Sequence, residues 1–298
     1  MSVDPELSGR ERELVGGAAP SGLIPSVGGE FEAATHAEPK ARSQWALFWR
    51  RFRKHKLAMV SIVVLLIIIV LCFGAPLFTQ FSNTHQDLLR ERVPPNGTHW
   101  LGTDDLGRDE FTRLLYAGRI SLEIGLAVGL LCTVVGTAIG AIAGYLGKAT
   151  DTVLMRLTDL FLIVPGLAIL AIALKYFGQT DEVIILVLAG LAWMYVARVA
   201  RGQVLELKEK EFVEAARASG ASTPRIIVRH LIPNMIGPIM VNATLAVAAA
   251  IITESTLSYL GYGVQPPQSS WGQMLSGAEG KTGTPSAYLI YAPGLMIL

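Results

Sequence analysis

The residues able to do chemistry are few and scattered. Five histidines occur in 298 residues, and none has a second ligand at metal spacing. Cys72 and Cys132 both lie inside apolar runs, without a Cys-x-x-Cys or Cys/His partner, so zinc and a structural disulfide are excluded in favour of small buried hydrophobes. The nearest approach to a phosphate-binding loop is Gly144-Tyr-Leu-Gly-Lys148, which lacks both the spacing and the following hydroxyl. No Ser/His/Asp set, His-Glu-x-x-His or paired carboxylates stand out. The sequence therefore reads as a non-enzyme, with no cofactor and no metal on this chain.

What remains is charge placed where charge is costly. Asp159 lies within an apolar segment with Arg156 one turn earlier, and the pair reads as local and structural. Glu123 and Glu254 sit near the ends of two others. Ionisable groups inside a membrane are functional candidates by default, so Asp159 and Glu254 are taken as possible pathway residues, with an interfacial structural role the preferred reading of Glu254; the uncharged Gln265, beyond it, joins them as a possible pathway or outer-loop residue. A pore-lining set cannot be read from the sequence.

The elements that carry these residues are apolar. Hydrophobic residues make up 51% of the chain and charged residues 16%, against about 25% charged in soluble domains. Net charge is +1, so no basic field points to nucleic acid. The expected fold is an all-α integral membrane protein of about six transmembrane helices in a bilayer. Residues 1–43 read as a disordered tail without a secretory signal. In residues 44–80, Trp45, Phe48, Trp49 and Phe52 alternate with basic residues as an interfacial helix. That helix leads into the uncharged run Leu57–Phe78, long enough to cross about 30 Å of hydrocarbon. A polar segment, 81–118, follows. Spans are expected over about Ile120–Leu146, Leu154–Leu174, Val183–Ala200 and Met235–Thr253, within a core of 119–298. A sixth begins near Ser286 and is too short to cross by Leu298, so it is incomplete in this chain. Gly125/Gly129 and Gly136/Gly140/Gly144 repeat at intervals of four, a spacing that flattens a helix face for close packing.

Lysine and arginine place the loops. Lys40–Lys56 and Arg198–Arg229 hold seven basic residues each, whereas four in Thr79–Gly118 are offset by six acids. Four spans, an even number, separate the two basic segments, so both fall on one side, and the N-terminus is expected in the cytoplasm. The loop 202–233 is then cytoplasmic. Within it Phe212, Ala215, Ala216 and Ser219 recur at i, i+3, i+4 and i+7, a smooth face suited to a groove on a partner protein. Glu214 is spaced to pair with Arg217, and Gly220 suits a helix stop. Thr223 and Pro224 suit the N-cap and first position of a second helix, Arg225–Ile232, that leads to Pro233. Helix, glycine and helix also describe a DNA-binding motif, but Arg225 and Arg229 are too thin a basic face for DNA.

The sequence Glu214-Ala-Ala216, with Gly220 four residues on and then Pro233, resembles the EAA loop of bacterial ABC importer permeases. The family's aliphatic pair before the proline falls here on His230 and Ile232, so the first position departs. His99-Trp-Leu-Gly-Thr-Asp-Asp-Leu-Gly-Arg-Asp109, with Arg113–Tyr116 and Arg119–Ser121, is similar to the outer segment of dipeptide/oligopeptide permeases of the C-type subunit, a group that includes nickel permeases. Leu257–Pro267 and Ser270-Trp-Gly272 are similar to the same subunits' later outer loop. The resemblance covers Trp45 to Leu298. It implies a type I ABC importer architecture, multi-pass in the bacterial cytoplasmic membrane, importing peptides or, alternatively, nickel. It implies ATPase coupling through Phe212, Glu214, Ala215, Ala216, Arg217, Gly220 and Pro233. The implied partners are a homologous second permease, two cytoplasmic ATPase subunits that bind the ATP and Mg, and an extracytoplasmic peptide-binding protein. A channel or scaffold that needs no ATP is the reading from another class.

Overall fold

The computed structural model describes Arg53 and residues 55–298. The expected tail and most of the basic interfacial helix lie outside the described residues. Val60–Leu298 form one compact unit, all-helical among the described residues apart from a single bridge between Thr103 and Asp109. Four helices are long and apolar enough to cross a membrane: α1 (Lys56–Phe73), α2 (Glu110–Leu146), α5 (Asp181–Leu207) and α7 (Ile236–Tyr259). A further pair, α3 (Lys148–Ile163) and α4 (Gly166–Phe177), is long and apolar enough to cross only when taken together, and its two helices meet at 85°. The shorter helices α6 (Glu211–Ala218), α8 (Trp271–Gly277) and α9 (Tyr288–Ile297) accompany them, besides single turns such as Thr223–Ile226.

The break corrects the expectation of one span over 154–174. Pro165 has no N–H for a helical bond and forces the residue before it out of the helical region, and Val164 accordingly has φ −79° and ψ 137°. Asp109 starts α2 earlier than expected: its carboxylate accepts from the Thr112 N–H (2.8 Å) and hydroxyl (2.7 Å). Residues 110–118, read from sequence with the polar outer segment, are thus the first turns of a helix of 37 residues, about 55 Å long at 1.5 Å per residue.

α2 is the central element, and its two glycine series face different neighbours. A Cβ at Gly136 would stand 2.6 Å from the Trp193 carbonyl oxygen of α5, and Gly140 and Gly144 face Ala197 and Arg201 further along it. A Cβ at Gly125 would stand 2.5 Å from Ile251 of α7, with Gly129 against Val247. Each stripe lets a helix backbone approach closer than any side chain allows. Ile124 and Val128 of α2 then pack with Leu170, Leu174, Ile184, Leu188 and Ala250 in the main buried cluster. By contrast α1 is almost wholly exposed within the unit, as suits a helix surrounded by lipid. Cys72 and Cys132 are buried free thiols.

Candidate functional site

The two ends of α2 carry two different polar assemblies. At its N-terminal end, Asp104 accepts from Arg113 (2.6 Å), from Arg108 (2.8 Å) and from the backbone N–H groups of Leu106 and Arg108. Asp109 also bonds His99 Nδ1 at 2.9 Å, while His99 stacks on Phe81. Two later segments fasten onto this fold. Lys281 reaches Asp105 at 2.6 Å, and the Tyr288 hydroxyl lies 3.1 and 2.9 Å from the Val93 and Thr103 carbonyl oxygens. Partial burial pushes the Asp105 carboxyl up, but Lys281 and Arg92 together hold it below the usual range.

Glu254 lies near the C-terminal end of α7. It is fully buried, and its oxygens accept from Ser258 Oγ at 2.6 Å and Ser121 Oγ at 3.4 Å. Those hydroxyls accept in turn from the N–H groups of Val264 (3.1 Å) and Trp271 (3.2 Å). The hydrogen bonds converge on the carboxyl and tie α2, α7 and α8 together, so Glu254 faces neither a pathway nor the surface. Gln265 is exposed, with its amide nitrogen on the Gly263 carbonyl at 2.9 Å. Asp159 pairs with Arg198 of α5 at 2.5 Å and not with Arg156. A second pair, Arg201 with Asp151 (2.6 Å from Nη2 to Oδ2), makes α3 an outrigger fastened to α5.

Between α2, α4, α5 and α7 lies a cavity of 580 Å³, walled mostly by leucine, valine and alanine. Its polar lining consists of Tyr195, Asn242 and Thr253, and α4 contributes Gly166, Leu167 and Leu170. None of Asp159, Glu254 and Gln265 lines it. The sequence signals for it are the Pro165 break and the alanine-rich stretch 243–250, neither of which by itself names a lining residue.

At the opposite end of α2 the chain leaves α5 and forms α6. Gly220, at φ +77°, ends that helix in a Schellman motif: the Ala221 N–H donates to the Ala216 carbonyl and the Gly220 N–H to the Arg217 carbonyl, both at 3.0 Å. The inward anchor is Val213, fully buried, with Ala216 beside it. Val213 is absent from the face read from sequence. It is the one branched aliphatic residue in α6, and its spacing of three from Ala216 is the signal for an inward stripe. Phe212, Glu214, Ala215 and Ser219 are exposed, so all but Ala216 of the expected smooth face is free of this chain's core.

Three local expectations are corrected here. Arg217 forms no ion pair with Glu214 among the described residues, and its guanidinium lies 5.7 Å from the Tyr145 ring centre. The Tyr145 phenol, first, and then longer-range acids including Glu214, push its pKa up. The N-cap is Ser222, so Pro224 takes the second helical position. The expected helix Arg225–Ile232 is a turn of α-helix, Thr223–Ile226, followed by π-helix over Ile227–Leu231 in which the Ile232 N–H reaches back to the Ile227 carbonyl. Pro233 supplies the reason, because its ring crowds the carbonyl four residues back and opens the ladder. Pro233 itself is exposed.

A helical bundle with a central cavity, an exposed short helix at one end and a pinned polar cap at the other is the architecture of a membrane transport subunit. Residues 136–298 match the family described as the binding-protein-dependent transport system inner membrane component, and residues 43–95 match the N-terminal TM domain of oligopeptide transport permease C. The chain is 40% identical to the oligopeptide transport system permease protein OppC of Bacillus subtilis, over 80% of this chain and 78% of that one. It is 42% identical to the dipeptide transport system permease protein DppC of the same organism, over 76% and 71%. It is 38% identical to OppC of Escherichia coli K12, over 88% and 87%. A chain of the MetNI methionine ABC transporter, in inward-facing conformations, superposes with a TM-score of 0.52 at 18% identity, covering 62% of this chain and 89% of that chain, a likeness of fold. This chain belongs to the binding-protein-dependent transport inner membrane component family, and it is a multi-pass membrane protein.

Proposed function

We propose that the chain is one permease subunit of an ATP-driven importer of di- and oligopeptides, forming half of the translocation pathway and performing no chemistry itself. The observation that carries this reading is α6, a short helix with one flank anchored by Val213 and the other exposed at Phe212, Glu214 and Ala215. A cytoplasmic ATPase receives that flank in a cleft, and two such ATPases bind the ATP and Mg. Gly220 sets where the helix ends, and Pro233 returns the chain to the membrane. ATPase closure pushes α6 and rocks the spans between inward and outward openings. A homologous permease completes the pathway, and an extracytoplasmic binding protein delivers peptide at the end capped by Lys281 and Tyr288.

Two observations support an N-terminus in the cytoplasm. The basic residues concentrate in the α5–α7 connection, and the polar segments 90–109 and 271–288 gather at the opposite end of α2. The peptide substrate rests on the relatives named for oligopeptide and dipeptide transport. The test is uptake of di-, tri- and longer peptides, alongside nickel, in a deletion strain complemented with this chain. Restored peptide uptake is expected. Restored nickel uptake with no peptide uptake refutes the substrate. A second test replaces Ala215 with Arg: ATPase subunits should no longer co-purify with the permeases, and full retention refutes α6 as the docking element.

A further inference from the structure

The docking helix must hold the membrane helices if its movement is to reach them, and the structure shows where it does. Its flank facing the bundle meets the C-terminal end of α2 at Tyr145. Arg217 places its guanidinium 5.7 Å from the Tyr145 ring centre, inside the roughly 6 Å range of a cation–π contact. Tyr145 is half-buried and packs on the cluster that contains Val213, Ile226 and Leu231. One residue earlier, Lys208 donates to the Gly144 carbonyl at 3.4 Å, at the long limit of a hydrogen bond. Above that point Gly136, Gly140 and Gly144 press α2 directly onto the α5 backbone. An aromatic ring has two side-chain torsions and little slack, so a displacement of α6 reaches α2 with little loss. From α2 it passes to α5 across a close contact of three glycines with the α5 backbone and the short side chains of Val196, Ala200 and Val204.

We propose that Tyr145 is the positioning residue through which the Glu211–Ala218 helix drives α2, with Arg217 as its counterpart; this rests on α6 being the ATPase-docking element. Phe212, Glu214 and Ala215 face the partner, and Arg217 faces Tyr145. The helix thus has separate docking and transmitting flanks.

The experiment uses the complete complex of both permeases and both ATPases in lipid vesicles, with trialanine and its binding protein as the probe. Stimulated ATP hydrolysis, the ATPase-to-permease ratio and trialanine taken up per ATP are measured for Tyr145→Phe, Tyr145→Leu, Arg217→Gln and the Tyr145→Leu/Arg217→Gln pair. Tyr145→Leu should lower the stimulated kcat about two- to five-fold, the size of one exposed cation–π contact, with KM for ATP and the subunit ratio unchanged. Tyr145→Phe keeps the ring face but removes the phenol oxygen beside Arg217, and should lose less stimulation than Tyr145→Leu. Arg217→Gln, at an exposed position, should reproduce the loss without disturbing the interior, and the pair should be no worse than either single change. Wild-type stimulation in Arg217→Gln, equal losses in Tyr145→Phe and Tyr145→Leu, or additive losses in the pair each overturn the proposal. Ala215→Arg separates the underlying reading. If it leaves the ATPases bound, the docking assignment fails. If it releases them while Tyr145→Leu is silent, the transmission assignment alone fails.

Discussion

Gly220→Val tests the end of the docking helix with little steric confusion. A Cβ at Gly220 meets nothing within 4 Å, so the whole cost is conformational. The residue sits at φ +77°, where an L side chain costs roughly 1–2 kcal/mol and a β-branched one lies at the upper end. A loop that escapes this strain by turning to negative φ loses the Ala221-to-Ala216 and Gly220-to-Arg217 bonds, each contributing about 1 kcal/mol. Either route shifts the balance between capped and frayed loop by roughly 30-fold, from about 2 kcal/mol. Hydrogen exchange across residues 211–221 of the assembled transporter should show lost protection, and peptide uptake should fall with it. Gly220→Asn, which tolerates this conformation, should retain most of both. If Gly220→Val has wild-type protection and uptake, the glycine stop is not needed and its positive φ does not set the end of the helix.

Three further outcomes follow from the packing and the polar clusters. Gly140→Ala drives a methyl into the Ala197 carbonyl of α5, and should cost about 1–3 kcal/mol, read as a lower melting temperature in detergent; Gly190→Ala, with open space around it, should be neutral or stabilising. Asp105, despite partial burial, is held below its ordinary pKa by Lys281 and Arg92. Its contribution is therefore present above the usual carboxylate range and lost as pH falls through the depressed value; Asp105→Asn should flatten that acid-side slope, by less than about 1 kcal/mol because the group is partly exposed. Glu254→Leu removes the acceptor of the buried Ser258 and Ser121 hydroxyls, at about 1–3 kcal/mol each, and should reduce the yield of folded protein, whereas Glu254→Gln, which keeps one acceptor oxygen and puts an amide donor in place of the other, should be milder.

Much of the fold is visible in composition and interval. Uncharged runs of sufficient length and glycines spaced by four follow from the demands of lipid and of close helix contact, both local properties of the chain. The Glu214-Ala215-Ala216 stretch and the Gly220 stop are equally local, because a helix end is decided by a few neighbouring residues. The inward flank of the same helix is only partly so: Val213, its one branched aliphatic residue, and Ala216 mark an inward stripe, but which of the neighbouring alanines the bundle covers depends on the side on which the bundle lies. Asp159 shows the difference plainly. Its partner by spacing is Arg156, one turn away, and its partner in space is Arg198, 39 positions on, because helix contact places that guanidinium nearer.

The sequence by itself determined that this chain is a helical membrane protein, which stretches are apolar enough to cross, which loops are basic, and that one loop contains a short helix stopped by glycine. Tertiary structure decided which glycine stripe meets which helix, that the third apolar stretch is bent at Pro165, and that Glu254 is sealed among serines. It also decided that Arg217 turns to Tyr145. The physical reason is the range of the forces involved. Hydration and backbone geometry act on neighbouring residues and leave periodic traces in the chain. The pairing of Arg217 with Tyr145, or of Asp159 with Arg198, exists only when separate helices meet.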